Sequence, residues 1–302
     1  MSIGDAYQPL EKSSNEMTSP FLSIIIPARN EADRLPKTIG QLQDFFQYHS
    51  WPLEIIPVIQ GNDETATLIC KLAQKDPRIK PIIDSQGRGK GRAVRYGVEQ
   101  AQGEVILFID ADLSVPPHCF IKLLEQFQTR PLSKLAAGDE EQEVSAHRRG
   151  AYKEILDEAS TGTTQLFASA VEFGRRSTST SCDILIGSRQ HPKSNITHSQ
   201  PWHRRFLGRV FNLFLRSIRL TKFRDTQCGC KFFRHDVAKT LFSYAMVNGF
   251  AFDVEILLLA KNLGYHVEEA PVEWANGGHS RFGISNDGIQ ALEDVWNLTE
   301  YS

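Results

Sequence analysis

The stretch Glu104-Val-Ile-Leu-Phe-Ile-Asp110-Ala-Asp112-Leu-Ser114 decides how the rest of the chain is read. Val105 to Ile109 is an unbroken apolar run with the length and β-branched content of a strand buried on both faces. Polar residues follow at once, and Pro116-Pro117 stops the strand from continuing. Ligands of open α/β sheets sit at the carboxyl ends of strands, which is where Asp110 and Asp112 fall. Two carboxylates one residue apart offer hard oxygen donors to a magnesium or manganese ion, and such an ion can hold a diphosphate. The plainer alternative is an N-cap cluster before a helix near His118, since Asp is a common cap.

Outward from this strand, apolar runs and amphipathic segments alternate. Leu22 to Pro27 reads as a buried strand, Glu31 to Tyr48 as a helix, and Leu53 to Gln60 as a second strand. A helix from about Glu64 to Lys75, a short strand Ile79 to Ile83 and a helix Lys90 to Gln102 come before the strand quoted above. Beyond it, Asp183 to Gly187 reads as a strand, Trp202 to Leu220 as a helix, Gln227 to Phe233 as a strand and Val237 to Tyr244 as a helix. Asp253 to Leu263 is an apolar helix, Val267 to Val272 is extended, and a last helix runs from about Asp287 to Leu298. Alternating strands and helices imply an α/β domain with a mostly parallel central sheet and helices on both faces.

The domain is expected over residues 21–282, after a disordered polar tail at 1–20 and before a C-terminal helix in 283–302. Gly138 to Ser181 breaks the alternation with Asp, Glu, Ser, Thr and Arg, so residues 136–182 read as a polar insertion and a solvated surface elaboration. With 302 residues, 41% of them hydrophobic, the chain can form one large α/β domain or two small ones. A net charge of -2 argues against nucleic-acid binding by bulk charge.

The five cysteines are too scattered for a disulfide framework. Cys228-Gly-Cys230 has no second Cys or His pair at zinc-finger spacing, so reduced thiols in a cytoplasmic protein are expected. The N-terminal residues lack the apolar core of a secretory signal. No segment approaches the ~20 apolar residues needed to span a bilayer. A soluble or peripheral protein is expected, the latter on the cytoplasmic face of a membrane.

Two further motifs bear on ligands. Pro27-Ala28-Arg29-Asn30-Glu31 ends the first strand where the base and ribose of a sugar nucleotide can be gripped, the alternative being helix capping by Asn30 or Asp33. In Gly87-Arg88-Gly89-Lys90-Gly91-Arg92, glycines admit close backbone approach, the helix start favours anions, and Lys90 adds a full charge. No Ser or Thr follows Lys90, so this is not a Walker loop. No Gly-x-Gly-x-x-Gly follows the first strand, which disfavours a nicotinamide dehydrogenase.

The order of motifs resembles the family-2 glycosyltransferases of GT-A fold, above all the dolichyl- and polyprenyl-phosphate β-glucosyltransferases, with the related mannosyltransferases next. The matching pieces are Ile26-Pro27-Ala28-Arg29-Asn30-Glu31, Gly89-Lys90-Gly91, Asp110-Ala-Asp112-Leu-Ser, Ile186-Gly187-Ser188-Arg189, Arg224-Asp225-Thr226-Gln227-Cys228-Gly229 and Phe252-Asp253-Val-Glu255. They run in family order from Leu22 to about Arg281, the insertion excepted.

The resemblance implies a nucleotide-sugar donor held at Pro27, Ala28, Asn30, Glu31 and Gln60. It implies Mg2+ or Mn2+ on Asp112, helped by Asp110. Lys90, Arg189 and Arg281, with Ser188 and Ser280 beside the two arginines, would serve the phosphates. Asp225 and Gln227 would line the acceptor side, and Asp253 and Glu255 would lie near the reacting centre. Buried ion pairs with nearby arginines are the structural alternative for Asp225 and Asp253. An acceptor that is a lipid phosphate has a second pKa of ~6 and needs no strong base, whereas a sugar hydroxyl needs Asp253 or Asp225 to take its proton.

One departure stands out. The second strand of such enzymes usually ends in an Asp-Asp-Gly-Ser type turn that helps hold the base; this chain has Ile59-Gln60-Gly61-Asn62. Gln60 can hydrogen-bond a base edge but carries no charge, so UDP is the expected nucleotide and GDP the alternative. The segment Trp202 to Arg219 carries Leu207, Phe211, Phe214 and Ile218 at helical spacing among arginines, which suits either an anionic membrane surface or a core helix. The expectation is a metal-dependent inverting transfer of a hexose, glucose first, to dolichyl or polyprenyl phosphate. The alternatives are a soluble or protein-linked acceptor and a nucleotide-sugar-binding pseudoenzyme. The oligomeric state is not encoded in any feature above.

Overall fold

The computed structural model describes residues 20–48, 51–129, 182–198 and 223–275, with 293–295 and 298. The expected tail, nearly all of the insertion, the Trp202 to Leu220 helix, Ser280 and Arg281 lie outside the described residues. Of the last helix, 293–295 and 298 are described, and they are helical.

The elements run β1 (Leu22–Arg29), α1 (Leu35–Phe46), β2 (Leu53–Gln60), α2 (Thr65–Ala73), β3 (Ile82–Ile83), α3 (Lys90–Gln100), β4 (Val105–Ile109) and α4 (His118–Thr129). Then come β5 (Ile184–Ser188), β6 (Asn195–His198), β7 (Cys230–Arg234), α5 (His235–Tyr244), α6 (Phe252–Leu263), β8 (Val267–Pro271) and β9 (Glu273–Ala275). Two boundaries differ from expectation for local reasons. The backbone first makes a tight turn, Arg34 N to Glu31 O at 3.1 Å, and α1 then starts with Pro36 in its first turn, where a missing N–H does no harm. β3 shrinks to two residues plus a bridge at Ile79, because Pro81 between them has no N–H for the ladder.

A seven-stranded sheet has the order β3-β2-β1-β4-β7-β5-β8. β7 runs antiparallel to both its neighbours, and the other pairings are parallel. β6 and β9 pair as a separate two-stranded ribbon that the sequence did not reveal. Strand alternation divides the core. Ile24, Ile26, Leu107 and Ile109 face α1 and α4, packing on Leu35, Ile39, Phe46 and Phe120. Ile25, Val58, Ile106 and Phe108 face α3, α5 and α6, packing on Val94, Leu241 and Phe252. Each such side chain contributes ~1.5–3 kcal/mol when fully buried, so both faces of β1 and β4 are strongly pinned and a register slip is excluded.

Candidate active site

β2 and β3 lie on one side of β1 and β4 on the other, so the chain reverses direction across the sheet between β1 and β4. The carboxyl edge at such a reversal is where open α/β sheets bind ligands. β4 delivers Asp110 to this edge, its amide donating to Gly229 O at 3.2 Å. Thr38 of α1 donates to Ala111 O at 2.7 Å, and Asp112 Oδ1 accepts the Ser114 amide at 3.1 Å. The loop is therefore fixed by α1 on one side and its own turn on the other. Asp112 bonds within this turn, six residues before α4 begins, and so is not the cap of that helix.

Lys90 enters from the first residue of α3. Gly89 before it has φ 107°, and a side chain there would strike Asn248 O, so this entry requires glycine. Lys90 Nζ lies 2.7 Å from Asp110 Oδ1 and 4.9 Å from the centre of the Phe108 ring. Burial works against the Lys90 charge, but Asp110, Asp253 and Asp112 overcome it and raise the ammonium above its ordinary value. Burial would likewise push Asp110 up, yet Lys90, Lys231 and Arg189 hold it below the usual carboxylate range. Asp112 goes the other way: burial first, then the charge of Asp110, raises it.

Across β7 the charges are paired. Arg189 grips the fully buried Asp225 through Nε and Nη2, both at 2.7 Å, and through its backbone amide at 2.9 Å. Burial opposes the charge of each partner, but their mutual attraction wins, raising Arg189 and lowering Asp225. Lys231 on β7 is buried against Asp253 of α6 and also donates to Cys228 O at 2.8 Å. Gly229 lies against the carboxylate of Asp110, and a Cβ there would sit 1.8 Å from Oδ2. Ser188 Oγ, at the end of β5, is the one buried side-chain oxygen or nitrogen among the described residues without a hydrogen-bond partner. Buried hydroxyls are normally satisfied, so a ligand or water oxygen beside Arg189 is the natural complement.

The charge count tests whether a divalent cation fits. Lys90, Lys231 and Arg189 stand against Asp110, Asp112, Asp225 and Asp253, three positive charges against four negative, which leaves one negative charge over. Among the described residues no ion pair compensates Asp112, and burial and the charge of Asp110 raise its proton affinity. A hard divalent ion suits these oxygens and turns the local sum from -1 to +1, the sign a diphosphate requires. Asp112 also lines a cleft with Arg34, Lys37, Thr38, Gln41 and Leu113, which adds two basic residues to that edge.

The family model described as glycosyl transferase family 2 matches residues 23–169, the part of the chain that carries β1, Lys90 and the Asp110–Asp112 loop. Residues 23–169 belong to glycosyl transferase family 2. It is 26% identical over 298 residues to a dolichyl-phosphate beta-glucosyltransferase of Dictyostelium discoideum, covering 96% of this chain and 77% of that protein. The enzyme of the same description from Drosophila melanogaster is 28% identical, with 95% and 76% covered. The one from Saccharomyces cerevisiae is also 28% identical, with 91% and 73% covered.

The family-2 fold is matched among solved structures by glucosyl-3-phosphoglycerate synthase of Mycobacterium tuberculosis, in complex with Mn2+, UDP-glucose and phosphoglyceric acid. That match has TM-score 0.55 and 14% identity, covering 93% of this chain and 79% of the other. The architecture is thus the GT-A fold, as the motif order implied.

Other expected residues take local partners. Asn30, at φ 54°, uses Oδ1 to accept the amides of Asn62 and Asp63, tying the end of β1 to the turn after β2 rather than capping α1. Glu31 forms a two-pronged pair with Arg34 and donates its amide to Thr65. Pro27 and Ala28 lie within β1 at its carboxyl end, and Gln227 is part-exposed in the turn before β7. Glu255, expected beside the reacting centre, accepts the amides of Met246 and Val247, and burial followed by Asp294 raises its carboxyl.

Two charged groups were not singled out from sequence. Gln60, itself buried, donates to Asp84 Oδ2 at 3.3 Å, and Asp84 also receives Arg92 Nε at 2.9 Å. The Arg92 bond, the largest influence, lowers Asp84. A carboxylate thus stands beside Gln60 after all, supplied by the end of β3. The strand-end rule applied to Asp110 also points to Asp84. Lys231 had no such signal, because its partner Asp253 is distant in sequence.

No described helix is long and apolar enough to cross a membrane. All five cysteines are free thiols, as expected.

Proposed function

We propose that the chain is a metal-dependent inverting hexosyltransferase that moves glucose from UDP-glucose to a dolichyl or polyprenyl phosphate. The observation that carries this reading is the state of the two acids that could act as a general base: Asp225 is locked to Arg189 and Asp253 to Lys231. Arg189 holds Asp225 below the usual carboxylate range and Lys231 occupies the carboxylate of Asp253, so an acceptor that arrives already ionised suits the site best. A phosphate monoester, with a second pKa of ~6, is such an acceptor. The descriptions of the relatives name the lipid phosphate and glucose, and the bound UDP-glucose of the structural neighbour supports the donor.

In this reading the edge of β1 and β2, with Gln60 and Asp84, receives the base. Asp112, with Asp110 beside it, would hold Mg2+ or Mn2+, which supplies charge neutralisation on the donor diphosphate. Arg189 spends Nε and Nη2 on Asp225 and keeps Nη1 for an acceptor phosphate oxygen. Asp225 therefore works as a positioning residue, holding the guanidinium in one orientation. Lys90 stabilises Asp110 in its charged form. Positioning and electrostatics carry the rate.

The test supplies purified full-length chain with UDP-glucose and manganese, and compares polyprenyl phosphate, unphosphorylated polyprenol and phosphoglycerate as acceptors. Glucosyl transfer to the lipid phosphate alone is expected, with a rate that falls below pH ~6 as the phosphate protonates. Turnover only with phosphoglycerate would overturn the lipid assignment while keeping the chemistry. Donor binding without turnover on any acceptor would mark a pseudoenzyme.

A further inference from the structure

The first residues of α4 meet β9 away from the carboxylate pair. His118 Nε2 lies 2.9 Å from Glu273 Oε2, and the neighbouring Cys119 is 5% exposed. A ring nitrogen of His118, the Cys119 sulfur and a Glu273 carboxylate oxygen all lie within 4.8 Å of one another. These are one nitrogen, one sulfur and one oxygen donor, contributed by two elements that the fold holds together. Tetrahedral zinc, with bonds of ~2.0–2.3 Å, separates its ligand atoms by ~3.3–3.8 Å, so side-chain rotation of about 1 Å would close the set. We propose that His118, Cys119 and Glu273 form a three-ligand site for a borderline-soft divalent cation of the zinc class, distinct from the hard-oxygen pair Asp110 and Asp112, with water as the fourth ligand.

The donor chemistry separates the two sites. Carboxylate oxygens alone suit magnesium and manganese, whereas a thiolate and an imidazole select zinc or cobalt. Binding releases the thiol proton of Cys119, since the thiolate is the ligand. Without a cation, burial and then the charge of Glu273 hold that thiol above its ordinary value, while a hydrogen bond from the Glu273 backbone favours the thiolate. The cation reverses the balance.

Occupancy would also fasten structure that reaches the catalytic edge. Ala275 of β9 donates to Ser114 O at 2.8 Å, and Ser114 in turn donates to Asp112. Trp274, next to Glu273, faces the Arg189 guanidinium at 5.9 Å. A clip between α4 and β9 thus reaches the Asp112 turn through Ser114 and the Arg189 guanidinium through Trp274. This proposal does not depend on the transfer reaction.

The experiment titrates chelator-treated full-length protein with cobalt(II) and follows the near-ultraviolet thiolate-to-cobalt charge-transfer band. A saturable band at one equivalent, bleached by zinc, is expected. It should be absent in Cys119→Ser, weakened about 10–100-fold in affinity in His118→Ala and Glu273→Gln, and retained in Asp112→Asn. His118 is exposed and Glu273 part-exposed, so their variants remain informative if Cys119→Ser fails to fold. A band that survives Cys119→Ser, one that ignores His118→Ala and Glu273→Gln, or no band in the folded wild type overturns the proposal.

Discussion

At the carboxyl edge of β4, Asp112 is part-buried beside Asp110 with no ion pair among the described residues, whereas across β7 the buried acids Asp225 and Asp253 each have a cation against them. Both regions contain carboxylates shielded from water, so burial alone does not distinguish them. The difference lies in where the compensating charge comes from. On the β7 side it is part of the chain, and the pairs are permanent parts of the fold. On the β4 side Lys90 compensates Asp110, while among the described residues no ion pair compensates Asp112, and that carboxylate is the one that can respond to a ligand.

The contrast can be broken most severely at Asp225. Asp225→Asn leaves Arg189 with half its partner and should cost about 3–5 kcal/mol in urea unfolding, together with loss of transfer activity. Lys231→Met should cost a similar amount, because Asp253 is left charged and buried. The double variant Lys231→Met/Asp253→Leu should recover most of that stability without recovering activity, which separates the structural role of the pair from its electrostatic one. Next in size, Gly229→Ala forces a methyl group against Asp110 and should destabilise by about 1–3 kcal/mol, with weaker manganese binding by calorimetry.

The smallest effect has the opposite sign. The folded-state pKa of Asp112 is raised, so its ionisation costs stability once the pH exceeds that value. Asp112→Asn should therefore raise the melting temperature of the metal-free protein at neutral pH by about 2 °C, while abolishing any manganese-induced shift. For the same reason protons should compete with manganese at a pH above the ordinary aspartate range, and calorimetry across mildly acid pH would detect the weakening.

Much of the β4 side was legible in the sequence. β4 came from an uninterrupted apolar run, and Asp110 and Asp112 stood out because a buried strand ended at them. Lys90 followed from a glycine-rich helix start. The β7 side was harder, since a lysine in Cys-Lys-Phe-Phe-Arg reads as an interruption until α6 places Asp253 over it. That pairing is a tertiary fact with no local pattern. β6 and β9 were missed because strands of three or four residues carry too few side chains for alternation to show. Asp84 was legible in principle, but its two-residue strand gave little warning that an acid there would meet Gln60.

The antiparallel placement of β7 has a consequence for biosynthesis. The open edge of β4, from Val105 to Ile109, is capped only when Cys230–Arg234 arrives, more than a hundred residues later in translation. Until then the nascent chain holds an apolar strand with unpaired amides and carbonyls facing outward, the kind of edge that pairs with other chains. Completion of the sheet is therefore a late, long-range closure, and a ribosome-stalled fragment ending before β7 should need a chaperone to stay unaggregated.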